Sequence, residues 1–130
     1  MEMPSIGSTV IALLEDDEVV RSAVTLLLES RGFHVVSGSS GSELAALIAA
    51  TGTQPTLIIA DYRLGLKTVI EELPEVVAIT GSNAGVIVTT GDTSLETRTL
   101  IEAYGWRLLI KPYRPEELLS YIGGNSAGPV

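Results

Sequence analysis

The chain has 130 residues, 45% of them hydrophobic and 18% charged, so it is long enough for one domain with one core and too apolar to be disordered. The formal net charge of −8 argues against a nucleic-acid backbone or an anionic membrane surface as the partner. The absence of cysteine excludes disulfides and cysteine-bound zinc, and no apolar run approaches the ~20 residues of a membrane span. We therefore expect a cytoplasmic protein with a leader at 1–8, a folded domain at 9–123 and a flexible tail at 124–130.

Strand-like and helix-like segments alternate along the chain. Short runs rich in Val, Ile and Leu predict five strands, at 9–14, 33–37, 57–60, 86–90 and 106–110. Helical spacing, polar starts and glycine stops predict helices from Glu18 to the turn at 30–32 and over 39–52, 92–105 and 114–124. Residues 61–85 are ambiguous, and we expect one irregular helix there that Pro74 breaks or restarts.

Strands separated by helix-length segments imply right-handed βα units, which place helices on both faces of a parallel sheet. In such doubly wound folds, ligands bind at the carboxyl ends of the strands. The polar residues that end or follow the predicted strands are Glu15, Asp16, Asp17, Asp61, Thr89, Thr90 and Lys111. The sequence therefore predicts that one rim of the sheet collects acids, a hydroxyl and an ammonium group.

Converging carboxylates at this rim repel one another, and at ~4 Å each like pair costs about 1–4 kcal/mol, depending on the local dielectric. A hard divalent cation offsets that cost, and Mg²⁺ takes one or two carboxylates while it keeps waters that phosphate oxygens can replace. Lys111 supplies a fixed point charge for a phosphoryl group, and Thr90 supplies a hydroxyl. These groups together predict phosphoryl transfer to Asp61 through an acyl phosphate.

Four stretches carry a family resemblance over about residues 9–123. They are LLEDDEVVR, LIIADYRL, VIVTTGD and LLIKPYRPEELL, in that order. Together they resemble the receiver domain of two-component response regulators, and DYRL, TTGD and LLIKP are most similar to receivers attached to hybrid sensor histidine kinases. The resemblance implies an α/β fold, a (βα)5 doubly wound five-stranded parallel sheet in a flavodoxin-like three-layer sandwich.

The resemblance also implies a role for each rim residue. Asp61 is the phosphoacceptor, Thr90 is the hydroxyl that turns toward the phosphoryl group, and Lys111 is the cation beside it. The Mg²⁺ ligands that it implies are Glu15, Asp16, Asp61 and the backbone carbonyl of Arg63. Asp17 then points away from the metal.

The function implied is that of a phosphoacceptor in a two-component phosphorelay, which takes a phosphoryl group from a histidine kinase or phosphotransfer protein and switches a partner-binding surface. At most, self-phosphorylation and autodephosphorylation are expected, without turnover of an exogenous substrate. His34 is the only histidine and is expected at a sheet edge, so the chain accepts phosphoryl groups and does not donate them from histidine. The resemblance allows a homodimer through the fourth helix, fifth strand and fifth helix, where four aromatic residues fit core packing and a partner face equally well. They are Tyr104, Trp106, Tyr113 and Tyr121.

The chain departs from the family pattern at three places. Leu108 stands where an aromatic switch residue is common, LGLKTVIEEL replaces the usual Pro-x-x-Asp-Gly segment, and Gly85 stands where a proline often begins a strand. These changes leave open a degenerate receiver that binds a partner without phosphorylation. A flavodoxin-like phosphatase is a further alternative, but it needs a carboxylate where Arg63 stands. Taken singly, each rim residue also fits a plain structural role, such as acids at a helix start.

Overall fold

The computed structural model describes residues 9–127, where seven strands and five helices follow one another. The strands are β1 (Val10–Leu14), β2 (His34–Gly38), β3 (Leu57–Asp61), β4 (Arg63–Leu64), β5 (Lys67–Thr68), β6 (Gly85–Thr90) and β7 (Arg107–Ile110). The helices are α1 (Glu18–Ser30), α2 (Gly41–Thr51), α3 (Val69–Thr80), α4 (Leu95–Ala103) and α5 (Pro115–Ala127). The predicted leader at 1–8 and the last three residues lie outside the described part of the chain.

Five strands form one parallel sheet in the order β2-β1-β3-β6-β7. This confirms the predicted doubly wound sheet, and each of the five predicted strands begins and ends within one residue of the observed one. The strand order reverses between β1 and β3, so the crevice at their carboxyl ends is the expected ligand position. His34 begins the edge strand β2, as predicted, and is exposed.

Two apolar clusters cover the two faces of this sheet. In β1, Ala12 and Leu14 pack into one cluster while Ile11 and Leu13 pack into the other, as the two-residue period of a strand requires. Helices α2, α3 and α4 contribute to the first cluster, and α1 and α5 contribute to the second. Because both faces are covered, the strands are buried aliphatic runs, and their polar residues are confined to the ends.

The prediction that Pro74 breaks the third helix is wrong, because α3 is continuous from Val69 to Thr80. Proline removes the N–H that would bond to the carbonyl of the residue four before it, and it crowds that carbonyl. Here the exposed Pro74 lies on the solvent side, whereas Val69, Leu73 and Val76 are fully buried. Burial of these three side chains offsets the lost hydrogen bond, at roughly 1.5–3 kcal/mol for each aliphatic side chain.

A two-stranded antiparallel hairpin, β4–β5, occupies the start of the ambiguous region and was not predicted. Gly65 and Leu66 form its two-residue turn, and Gly65 has a positive φ of 67°. A positive φ at the first central residue, normally glycine, is the mark of the type II′ turn, which suits the twist of short hairpins. Leu64 is buried in the core while Leu66 at the tip is fully exposed.

Helix α5 continues to Ala127, so residues 124–127, which the sequence placed in a flexible tail, have helical backbone. Glycine costs a helix about 1 kcal/mol relative to alanine but keeps its N–H and can adopt helical angles, so Gly123 and Gly124 do not end the helix.

Within residues 9–127, no helix combines the length and apolar character needed to cross a membrane.

Candidate functional site

Three carboxylates meet at the carboxyl ends of β1 and β3. Glu15 and Asp16 directly follow β1, and Asp61 is the last residue of the neighbouring strand β3. One carboxylate oxygen from each of the three side chains lies within 4.8 Å of the other two. The parallel pairing of Leu14 with Ala60 explains this convergence, since it puts both strand ends at the same level of the sheet.

The three acids differ in burial, and this difference sets their electrostatics. Glu15 is 5% exposed, Asp61 is half-buried and Asp16 is exposed. Burial, followed by the negative charge of Asp61, raises the pKa of Glu15 to about 7. The Asp17 backbone N–H donates to Glu15 Oε2 at 3.2 Å and, with Lys111, partly opposes the shift.

Lys111 provides the positive charge at this rim. It follows β7, and its Nζ lies 3.2 Å from Asp61 Oδ2 and 3.9 Å from Glu15 Oε1. The peptide bond between Lys111 and Pro112 is cis. Since one ammonium group faces three carboxylates, the ionised site keeps an excess of negative charge.

Thr90 lies at the carboxyl end of β6, on the same rim. It is buried, and its backbone oxygen accepts a hydrogen bond from the Lys111 N–H at 2.8 Å. Its hydroxyl oxygen accepts from the backbone N–H of Asp92 at 3.0 Å, so in this structure it holds the start of the β6–α4 loop. The structure therefore places Thr90 at the predicted position and also gives it the plain loop-capping role.

Asp17 does not join the acidic cluster. Its Oδ1 accepts hydrogen bonds from the backbone N–H groups of Val19 and Val20 at 2.9 and 3.1 Å, so it is the N-cap of α1. Arg21, one turn into the helix, donates from Nη1 to the backbone oxygen of Glu15 at 2.7 Å. The EDDE segment thus divides into two rim acids and one helix cap.

The hairpin supplies a contact that the sequence did not predict. The backbone N–H of Gly65 donates to Asp16 Oδ2 at 2.9 Å, across 49 positions of the chain. Arg63, whose carbonyl was assigned to the metal by resemblance, lies in β4 beside this contact, and its guanidinium is 5.9 Å from the centre of the Tyr62 ring. The ligand role of its carbonyl stays a prediction.

Comparison with known families decides the class of this chain. The sequence profile of the response regulator receiver domain matches residues 11–123. The chain belongs to the receiver domain family of response regulators. The five-stranded receiver fold accounts for the sheet order.

The receiver is similar to proteins from bacteria and archaea. It is 27% identical over 118 residues to the "Uncharacterized transcriptional regulatory protein YxjL" of Bacillus subtilis (strain 168), a match that covers 91% of this chain and 54% of that protein. The chain therefore spans about half the length of this curated relative. Chemotaxis protein CheY4 of Vibrio cholerae is 25% identical, with a TM-score of 0.74 over 88% of this chain and 96% of that one. A CheY-like receiver of Methanospirillum hungatei JF-1 shares the fold, with 24% identity and a TM-score of 0.77 over 90% and 92% of the two chains.

The four aromatic residues near α4, β7 and α5 contact other side chains of the domain. The rings of Tyr104 and Trp106 stack with centroids 4.5 Å apart. Tyr113 and Tyr121 pack against the second apolar cluster, to which α1 and α5 contribute. The Tyr121 hydroxyl donates to the backbone oxygen of Leu108 at 3.0 Å. Burial, followed by the charges of Glu15 and Asp61, raises the pKa of Tyr113, which indicates that it lies close to the acidic rim.

Proposed function

We propose that this receiver domain is a phosphoacceptor that uses Mg²⁺ and takes a phosphoryl group from a histidine kinase or phosphotransfer protein onto Asp61. The observation that carries the proposal is the meeting of Glu15, Asp16 and Asp61 oxygens within 4.8 Å, with Lys111 Nζ 3.2 Å from Asp61. The donor set fits the metal, because carboxylate oxygens are the hard ligands that Mg²⁺ prefers. The backbone carbonyl of Arg63 is the proposed further ligand.

In the proposed reaction, an ionised oxygen of Asp61 attacks phosphorus, the bond from phosphorus to the donor nitrogen breaks, and an acyl phosphate forms. When bound, Mg²⁺ offsets the negative charge that the carboxylates and the phosphoryl oxygens bring together. Lys111 stays beside Asp61 as a fixed cation for the product. Thr90 then exchanges its contact with the Asp92 N–H for one in which its hydroxyl donates to a phosphoryl oxygen.

Phosphorylation is proposed to change the relative populations of two conformations of the domain. A phosphoryl group on Asp61 shifts an equilibrium between two states only by its differential contacts with them, and Thr90 and Lys111 are the residues that make those contacts. The proposed output surface is the face of α4, β7 and α5, which could also support a homodimer. Leu95 and Tyr104 are exposed on the α4 side of this face. With Leu108 in β7, the switch operates without an aromatic residue at that position.

The phosphoacceptor role is tested by mass spectrometry of the intact chain after incubation with Mg²⁺ and a small acyl phosphate. The wild-type chain is expected to gain the mass of one phosphoryl group, and Asp61→Asn is expected to gain none. No gain in the wild type, or a gain that persists in the variant, contradicts the proposal. If the wild type gains no mass, the alternative is a receiver that binds its partner without phosphorylation.

Mg²⁺ is expected to raise the melting temperature of the unphosphorylated domain at pH 8. Binding to the folded state alone adds RT ln(1 + [L]/Kd), about 2.7 kcal/mol at 100 times the dissociation constant. Asp16→Asn should abolish most of this increase, whereas Glu102→Gln, which removes the same charge from an exposed site on α4, should keep it. A wild-type melting curve unaffected by millimolar Mg²⁺ counts against the metal site.

The sequence motifs and the net charge also support proposals about the type of receiver, its compartment and its partner. DYRL, TTGD and LLIKP support a receiver of the hybrid-kinase type, with its domain at residues 9–123, working in the cytoplasm. A net charge of −8 supports a protein rather than a nucleic acid as the partner of this domain. The proposed activity is limited to self-phosphorylation and autodephosphorylation at Asp61.

A further inference from the structure

We propose that the β4–β5 hairpin positions Asp16 for the metal, so that order in the hairpin and cation binding at the acidic rim are coupled. The link is the hydrogen bond from the Gly65 backbone N–H to Asp16 Oδ2, 2.9 Å long. This inference rests on the proposed function, since it assumes that the rim binds Mg²⁺. It assigns the segment that replaces the usual family loop a role in the site.

Hydrogen bonds and burial attach the hairpin to the rest of the fold, so its backbone can orient a side chain that bonds to it. At its base, the Tyr62 N–H donates to the Thr89 oxygen at 2.8 Å, and the Val69 N–H donates to the Tyr62 oxygen at 2.9 Å. Leu64 is buried in the core cluster that lies under α2 and α3. The backbone of the hairpin is therefore attached to the sheet, to α3 and to the core.

Asp16 depends on such an orienting hydrogen bond more than Glu15 does. Glu15 is buried and its carboxylate accepts the Asp17 N–H, whereas Asp16 is exposed and can otherwise sample several rotamers. A carboxylate has two oxygens and about four lone-pair sites, so Asp16 can accept the Gly65 N–H and still offer lone pairs to a cation. Hydrogen-bond partners that orient a metal ligand typically change metal affinity by about 10–100-fold.

Glycine at position 65 is what permits this contact. Its φ of 67° lies in the left-handed region, which L side chains adopt only with strain. A Cβ built on Gly65 would meet no atom within 4 Å, so a substitution there acts through the backbone of the turn alone. Gly52, the C-cap of α2, has the same φ of 67° and the same open surroundings, and it lies in a different part of the fold.

The test compares Gly65→Ala with Gly52→Ala in the full chain, with the Mg²⁺ dissociation constant and urea unfolding measured on each. Both variants should lose stability, since both place alanine at a positive φ. Only Gly65→Ala should bind Mg²⁺ more weakly, by about 10-fold. Equal dissociation constants for the two variants overturn the inference alone, while a wild-type chain without Mg²⁺ affinity overturns both this inference and the proposed function.

A second measurement tests the hydrogen bond without any metal. Amide hydrogen exchange at Gly65 should be faster in Asp16→Ala than in the wild type, whereas Asp16→Asn should keep the slow rate because its amide oxygen still accepts the bond. In the wild type, Mg²⁺ should slow this exchange further, since coupling between two sites is reciprocal. Exchange at Gly65 that is equal in all three metal-free proteins, or that Mg²⁺ accelerates, contradicts the coupling.

Discussion

Replacement of Glu15 by glutamine is expected to stabilise the metal-free domain by about 3 kcal/mol at pH 8, because each tenfold change in proton affinity corresponds to about 1.4 kcal/mol. Burial, followed by the charge of Asp61, raises the pKa of Glu15 from 4.5 to about 7. The folded state therefore binds this proton more tightly than the unfolded state does. Glutamine has nearly the same shape and never ionises, so it removes the cost of a buried charge.

The sign of the pH dependence follows from that raised pKa. A group whose pKa is higher in the folded state contributes stability below its unfolded pKa and loses it as the pH rises through the folded value. For Glu15 the loss falls between about pH 4.5 and 7. Wild-type stability should therefore decline across this window, relative to Glu15→Gln, and the two proteins should converge at lower pH.

Urea unfolding at a series of pH values, without divalent cations, measures this difference. Glu102→Gln is the control, since it removes an exposed carboxylate from α4 and should follow the wild type at every pH. A Glu15→Gln variant that is no more stable than the wild type at pH 8 would show that Lys111 already compensates the charge. Added Mg²⁺ should narrow the gap, because only the wild type keeps all three carboxylates.

This electrostatic cost favours the proposed binding of a cation at the rim. Without metal, the folded state holds Glu15 and Asp61 near each other against their repulsion, and the single ammonium group of Lys111 offsets only part of it. A divalent cation relieves the repulsion, and so does protonation of Glu15. Mg²⁺ and protons should therefore compete, and the dissociation constant for Mg²⁺ should increase as the pH falls below 7.

The sequence predicted the sheet and the rim well for a physical reason. Strands buried on both faces are continuous aliphatic runs with polar residues directly after them, so both the strands and their ends are visible. Parallel order then brings Glu15 and Asp61 together without any knowledge of side-chain contacts. The Ser-x-x-Glu start of α2 is another local signal, and Ser40 does accept the Glu43 N–H at 3.2 Å.

The missed features depend on packing between distant segments. Pro74 is compatible with α3 because the other side of that helix is buried, a fact that local propensity does not contain. The hairpin has strands of only two residues, too short for a periodic pattern, and Gly65 was its one signal. Gly41, read only as part of a helix start, turns out to lie directly against the backbone of Glu72 in α3.

Gly41→Ala is expected to destabilise the domain by about 3 kcal/mol, the upper end of the usual cost of overpacking. A Cβ at this position would clash with the backbone oxygen of Glu72 in α3, since it would lie well within the 3.0 Å that real Cβ atoms essentially never enter. The clash is with backbone, so α3 would have to move. That movement would also strain the 2.7 Å hydrogen bond from the Gly41 N–H to Glu72 Oε1.

Helix propensity alone predicts the opposite sign, because alanine in place of glycine at a compatible helix position stabilises by about 0.4–1 kcal/mol. The comparison with Gly91→Ala separates the two effects, since a Cβ there meets no atom within 4 Å and the residue lacks a positive φ. Urea unfolding should give a change within about 0.5 kcal/mol for Gly91→Ala. A Gly41→Ala variant as stable as the wild type would mean that α2 and α3 can move apart at little cost in free energy. The contact of Glu72 with Lys67 in the hairpin, at 3.5 Å, would then be free to loosen as well.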